Sequence, residues 1–380
     1  MIASQDDGLG HGSADHFTTD GQQVTTPAIA DTPHAMFTER YWYMGALVPE
    51  GDFVFGAGLG YYANRKVMDG YVSVSRGGRQ YSFSASRQCA VDPLVSAIGA
   101  MRITVEEGLK AHRIQLGANA SGLALDLRFN AAMAPNDEGR DKVVRGGQLM
   151  ADVSRYIQFG HYTGWVELEG SRTEVAGTQC WGARDRSWGL RTEARTDASS
   201  PPLTRFRPMM FLWVCAQFEG HGIHLFLKED APGQVRSLVA NESYPPHAGR
   251  PASEIVEVEH DIEWQEDPFA QRIAGGTLRL RFADGRRKIL RMRALPGWLS
   301  LKAGMYGGYR GWFQGDDKGP LHTATQAWNL ADPGTRRELR TLAEQVIEFS
   351  DGDAVGYGTI QGGVAEGFAK YPEVQQQPMM

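Results

Sequence analysis

Gly182-Ala183-Arg184-Asp185-Arg186-Ser187-Trp188-Gly189 gathers three charges and an indole into eight residues near the middle of the chain. Arginines flanking a carboxylate suit two jobs. Their planar, forked donors can bind a carboxylate, enolate or phenolate oxygen of a ligand, and their charge can hold the carboxylate ionised as a base. Asp185 is thus a candidate proton-moving group, Arg186 a candidate catalytic partner and Arg184 a candidate ligand-binding residue. Two readings stand: a structural Arg-Asp-Arg knot between sheets, or a polar cluster at the mouth of an apolar pocket. His161, a titratable group just upstream, is a further catalytic candidate beside the binding candidate Tyr162. Trp188, Trp213, Tyr309 and Trp312 are candidates for an aromatic box that holds a flat or isoprenoid ligand and stabilises a cation. Their alternative is a place in the core with satisfied N–H groups.

These residues sit in a chain that reads as all-β. Period-2 alternation in a strand puts Trp181, Ala183, Asp185 and Ser187 on one face and Arg184, Arg186 and Trp188 on the other. Strands are expected at 41–44, 53–62, 68–75, 80–84, 101–105, 112–116, 122–129 and 155–168, and again at 209–218, 224–227, 255–262, 276–282, 288–292 and 355–360. Gly77-Gly78, Glu169-Gly170-Ser171, Ala283-Asp284-Gly285-Arg286 and Ser350-Asp351-Gly352-Asp353 read as hairpin turns. Pro135 to Gly147 reads as a polar loop, Ser199 to Pro208 as a proline-rich crossing segment, and the end from Pro372 as a polar tail. Only Thr335 to Gln345 has helical spacing. The expected division is a disordered arm over 1–34, which is poor in large aliphatics, then β domains over 35–170 and 171–375.

Composition narrows the function. The chain has 380 residues, a net charge of −6 and 42% hydrophobic residues, which suits a globular protein and gives no reason to expect nucleic acid. No window approaches the roughly 18 apolar residues of a membrane helix, and no secretory signal is visible at the N-terminus. Cys89, Cys180 and Cys215 show neither disulfide nor zinc spacing, so a cytoplasmic protein with reduced thiols is expected. No nucleophile elbow, phosphate loop or metal motif is present. Gly58-Leu59-Gly60 and the run Gly304 to Gly308 read as glycine bends in strands, because no helical pattern follows them.

Four segments carry a family resemblance, in matching order. Asn64 to Gly70, Gly182 to Arg191, Gly307 to Phe313 and Gly356-Tyr357-Gly358-Thr359-Ile360 resemble signatures of the carotenoid 1,2-hydratase-related, calycin-like proteins. That group takes in hydroxyneurosporene synthase relatives, an uncharacterised bacterial branch and fungal pericyclases of Diels–Alderase type. The resemblance implies two lipocalin-like antiparallel β domains packed together, with an apolar ligand site at or near their junction. It also implies a pocket histidine and tryptophan from an Asp-His-x-Trp-Gly run, and a Tyr and an Asp from the next strand. Here Asp185, Trp188 and Gly189 match, Arg186 replaces the histidine, and Trp213 and Cys215 stand on the following strand. Arginine stays protonated near neutral pH, so the proton donor that alkene hydration requires is missing at that position.

The expectation is a cofactor-independent lyase or isomerase, of hydratase, elimination or cyclase type, acting on a hydrophobic isoprenoid, steroid or aromatic molecule. The alternatives are a non-catalytic carrier of apolar ligands and a pericyclase that works by shape alone. No metal or organic cofactor is expected, and a homodimer is left open.

Overall fold

The computed structural model describes residues 35–62, 65–89, 96–145, 148–192, 209–339 and 342–374. The expected N-terminal arm, the crossing segment 199–208 and Asn64 of the first family motif lie outside these residues. The protein is all-β: a curled open sheet packs against a closed barrel, two lipocalin-like antiparallel modules with one short α-helix among the described residues. Among the described residues, no helix is long and apolar enough to cross a membrane.

The open sheet is built from β1 (Ala35–Leu47), β2 (Phe53–Tyr62), β3 (Val67–Arg76), β4 (Arg79–Gln88), β5 (Ala97–Ile98), β6 (Met101–Glu107), β7 (Ala111–Leu116), β8 (Leu123–Ala131), β9 (Asn136–Arg145), β10 (Gln148–Leu168), β11 (Ser171–Val175) and β12 (Cys180–Thr192). Its order is β4-β3-β2-β1-β12-β10-β8-β7-β6-β5, and β9 and β11 also pair with β10. Strands β11 and β12, beyond residue 170, thus belong to this sheet. The barrel follows from β13 (Met210–Gln217), β14 (Gly222–Ala231), β15 (Gln234–Ser243), β16 (Ser253–Trp264), β17 (Ile273–Phe282), β18 (Arg287–Ser300), β20 (Ala343–Asp351) and β21 (Ala354–Val364), with β21 closing onto β13. Between β18 and β20 the chain leaves the barrel, and β19 (His322–Asn329) joins the edge of the open sheet against β4.

Strict alternation divides the core into three. Tyr41 and Tyr43 of β1 point into the hollow of the open sheet with Phe53, Phe55 and Phe129. Trp42, Met44 and Ala46 of the same strand point at the barrel, where they meet Trp213, Cys215 and Leu299. Strand β13 mirrors this arrangement, with Met210, Leu212 and Val214 filling the barrel. A strand covered on both faces has no solvated side to favour polar residues, which explains the unbroken apolar run of β2, buried along its whole length. The Gly77-Gly78 turn has φ of 57° and 74°, the left-handed pair that a two-residue hairpin between right-twisted strands requires.

Three expectations are corrected. Pro135 to Gly147 is not a loop: most of it is β9, whose charges find partners. Arg140 is bidentate on Asp152, and Lys228 of the barrel lies 3.1 Å from Asp141. The helix expected over 335–345 is confined to α1 (Pro333–Leu339), and Ala343, Glu344 and Gln345 begin β20. Leu339 anchors α1, while the run Val346-Ile347 belongs to a barrel strand whose pairing outweighs local helical spacing. The segment from Pro372 is not wholly polar tail, because Val374 packs on the barrel core beside Tyr371.

Candidate active site between the β modules

The face of the open sheet that meets the barrel carries its side chains in lateral rows. The strand registers set Tyr71, Gly58, Trp42, Asp185 and Ile157 side by side across β3, β2, β1, β12 and β10. The next row, two residues along, is Asp69, Gly60, Arg40, Ser187 and Arg155. Facing them across a cavity of about 280 Å³ are Phe211 and Trp213 of β13, Phe226 of β14 and Gln361 of β21. The segment linking β18 to β19 roofs it with Met305, Tyr306 and Trp312. A volume near the low end of small-molecule sites suits a compact ligand rather than a long polyene.

Aromatic contacts fix the apolar wall. Trp42 donates its indole N–H to Tyr71 Oη at 3.0 Å and meets Trp213 edge-on at 5.4 Å. Tyr71 lies flat between two glycines: a Cβ on Gly58 or Gly304 would stand 2.5 or 2.6 Å from its ring. Trp213 in turn donates to Glu138 Oε1 at 3.4 Å, and the same oxygen faces His224 Nε2 at 3.1 Å. His224 Nδ1 lies 2.9 Å from the Val214 carbonyl. Both ring nitrogens therefore face oxygen atoms.

The polar wall is unevenly satisfied. Asp69 accepts from Tyr62 Oη at 3.0 Å and from the Gly315 amide at 2.6 Å. Burial still pushes its pKa up to about 6, held back by those bonds and by Arg40. Asp185 differs, because its carboxyl accepts no hydrogen bond from any described residue. Burial, followed by the charge of Glu138, pushes it up to about 7 against the pull of Arg155 and Arg191. For Glu138, burial acts upward but the charge and hydrogen bond of His224 prevail, leaving it below the usual carboxylate range. Burial lowers Arg191, as do the nearby charges of Arg40 and Arg155. Behind Gln361, Glu344 is buried and is pushed up to about 8, with Gln361 Nε2 donating to one of its oxygens. Such a wall can exchange a proton near neutral pH at Asp185 and present cations to an anionic oxygen.

Of the residues singled out in the sequence, the structure brings Asp185, Trp213 and Trp312 to this cavity. Arg184 and Arg186 face the opposite way, fully buried in the hollow of the open sheet. Arg184 donates to Gln158 Oε1 at 3.0 Å and to Tyr156 Oη at 3.2 Å, while Arg186 pairs with Glu39 at 2.9 Å. Trp188 packs there under the Arg186 guanidinium, and Tyr162 donates to the Ala183 carbonyl at 2.8 Å. His161 shares the face of Asp185 but sits four residues beyond Ile157, about 13 Å along the strand, against Trp181 and Gln217. Tyr309 lies behind the roof, donating to Glu338 and accepting from Trp328. Sequence reasoning assigned no site role to Arg40, Asp69, Tyr71, Glu138, Arg155, Arg191 or Tyr306. A signal was present for one of them, since Arg40 is a charge that abuts the apolar run from Tyr41 to Leu47.

Among solved structures the chain is similar to kievitone hydratase from Nectria haematococca, with a TM-score of 0.46 at 10% identity, covering 86% of this chain and 88% of that one. It is also similar to CghA with Sch210972, with a TM-score of 0.45 at 11% identity over 87% and 88% of the two chains. For CghA alone the TM-score is 0.43 at 11% identity, again over 87% and 88%. No curated protein matches the chain. A family model described as "Family of unknown function (DUF8625)" matches residues 20–367, and the chain belongs to that family.

Proposed function

We propose that the protein is a cofactor-independent lyase or isomerase that moves a proton on a compact, largely apolar molecule held between the β modules. The observation that carries this reading is Asp185, a carboxyl set on the wall of an aromatic cavity and bonded to no described residue. A half-buried carboxyl on an aromatic wall without a partner is costly to ionise, and a ligand atom over Asp185 relieves that cost while receiving or giving a proton. In the addition direction, the Asp185 carboxyl delivers its proton to an unsaturated carbon, and Trp42 and Trp213 stabilise the resulting positive charge. Water then adds, and its proton returns to the carboxylate. In an isomerisation the carboxylate takes a proton from one carbon and gives it to another. Either sequence leaves Asp185 as it began, and a proton-moving group is most effective with a pKa near the working pH.

Incubation in D2O with a fractionated small-molecule extract of the source cells, followed by mass spectrometry, tests this. Wild-type protein should convert a component into a product bearing one new deuterium or the mass of one added or lost water. Asp185→Asn should slow that conversion by about 10²–10⁴-fold while still binding the component. Binding of a component without any conversion, or undiminished conversion by Asp185→Asn, would overturn the reading; the first outcome describes a carrier.

A further inference from the structure

The row beside Asp185 is rich in positive charge. Arg40 and Arg155 stand on either side of Ser187, each one strand away, so their Cα atoms are about 10 Å apart with Ser187 midway. Arg191 reaches into the same place, donating Nη2 to Ser187 Oγ at 2.9 Å and Nε to Thr38 Oγ1 at 3.1 Å, both neutral acceptors. Arg40 Nε is buried without a hydrogen-bond partner. Of the nearby carboxylates, Asp69 is held by Tyr62 and Gly315 and Glu138 by His224, Asp141 is shared between Lys228 and Arg155, and Asp185 stands in the adjacent row. Arg155 pairs with Asp141 only at 3.7 Å, a long ion pair. Arg40, Arg155, Arg191 and Ser187 all line the cavity, so a cleft with low-dielectric walls offers several cationic donors to an anionic oxygen of a ligand.

We infer that the cavity takes an organic acid, whose carboxylate seats over Ser187 among Arg40, Arg155 and Arg191. This deepens the proposed function and rests on the same cavity, although not on proton transfer by Asp185. The seat orients the ligand. With the carboxylate in the arginine row, the apolar body lies along Trp42 and Trp213, and the reacting carbon comes over Asp185, about 7 Å further along β12. The forked donors favour a planar carboxylate over a spherical anion. An ionised ligand there also draws the arginine charge away from Asp185, which favours the protonated carboxyl that the addition direction starts from.

The test is calorimetric titration of the full chain with 2-naphthoate and with its neutral isostere 2-naphthamide. Naphthoate should bind at least tenfold more tightly. Arg155→Gln and Arg191→Gln should each weaken naphthoate tenfold or more and leave naphthamide unchanged. Arg155→Lys, which keeps the charge and loses the fork, should fall between. Melting curves of each variant separate a lost seat from a lost fold. Equal binding of acid and amide, absence of binding by both, or equal weakening of both by the arginine variants would overturn the seat. Asp185→Asn discriminates the two proposals. An acid preference that persists while turnover is unaffected by Asp185→Asn removes the proton-transfer role alone. Turnover lost in Asp185→Asn without any acid preference removes the seat alone.

Discussion

Asp185 and Arg186 are neighbours in sequence with opposite surroundings. The carboxyl faces a cavity, and the guanidinium faces the interior of the open sheet, where Glu39 neutralises it and the rings of Tyr41 and Trp188 flank it at 5.1 and 5.5 Å. Removing one partner from a buried pair strands the other, which usually costs about 3–5 kcal/mol. Arg186→Met should therefore destabilise the protein by that amount in urea unfolding, and the double variant Glu39→Gln/Arg186→Met should recover most of the loss. Equal stability of the single and double variants would show that Glu39 is not held by this charge. The effect on Asp185 chemistry should be small by comparison, because the two side chains leave the strand on opposite sides.

Strands with two working faces are what build the cavity. β1 and β12 give one row of side chains to the hollow of the open sheet and the alternate row to the interface with the barrel, and β13 does the same from the barrel side. Glycine sets the depth of the floor at one place. Tyr71 can lie over β2 only because Gly58 has no Cβ, and its hydroxyl then accepts from Trp42. Gly58→Ala should push the Tyr71 ring into the cavity and cost about 1–3 kcal/mol. Ligand affinity should fall with it, and Trp42 fluorescence should report the lost hydrogen bond. An unchanged melting temperature together with unchanged ligand affinity would place the Tyr71 ring elsewhere.

Across the whole molecule, cavity formation shows up as an unusual pH dependence. Asp69, Asp185 and Glu344 titrate at about 6, 7 and 8 in the folded chain, against about 4 when unfolded. Because the folded values are raised, the stability these groups contribute is complete below about pH 4 and is lost as the pH rises through the folded values. Burial lowers His161, His221 and His260 instead. Their contribution is complete above about pH 6.5 and is lost as the pH falls below it. Above about pH 6.5 the carboxyls dominate, and Lys302, lowered to about 8 by burial, opposes them only as pH 8 is reached, so stability should decline by roughly 1–3 kcal/mol towards pH 8. Glu138, Arg40, Arg155, Arg191, His224 and Tyr306 all face the cavity or act on Asp185, and their charges are part of that balance. Asp185→Asn and Glu344→Gln should each flatten the decline in thermal unfolding. Stability that rises over the same range would contradict the protonated state assigned to these carboxyls.

The sequence by itself determined most of the strands, most of the turns, and the division of the central segment into two faces, with Asp185 on one and Arg184, Arg186 and Trp188 on the other. Side-chain period and turn chemistry are local, so a window of ten residues contains them. What a face looks onto is not local. Only the pairing of β12 between β1 and β10, together with the packing of that sheet on the barrel, made one face of the segment a core and the other a cavity wall. For the same reason β9 read as a loop: Glu138 and Asp141 find His224 and Lys228 only after the barrel has formed beside them. Arg40, Arg155 and Arg191 are far apart along the chain, and strand register alone gathers them around Ser187.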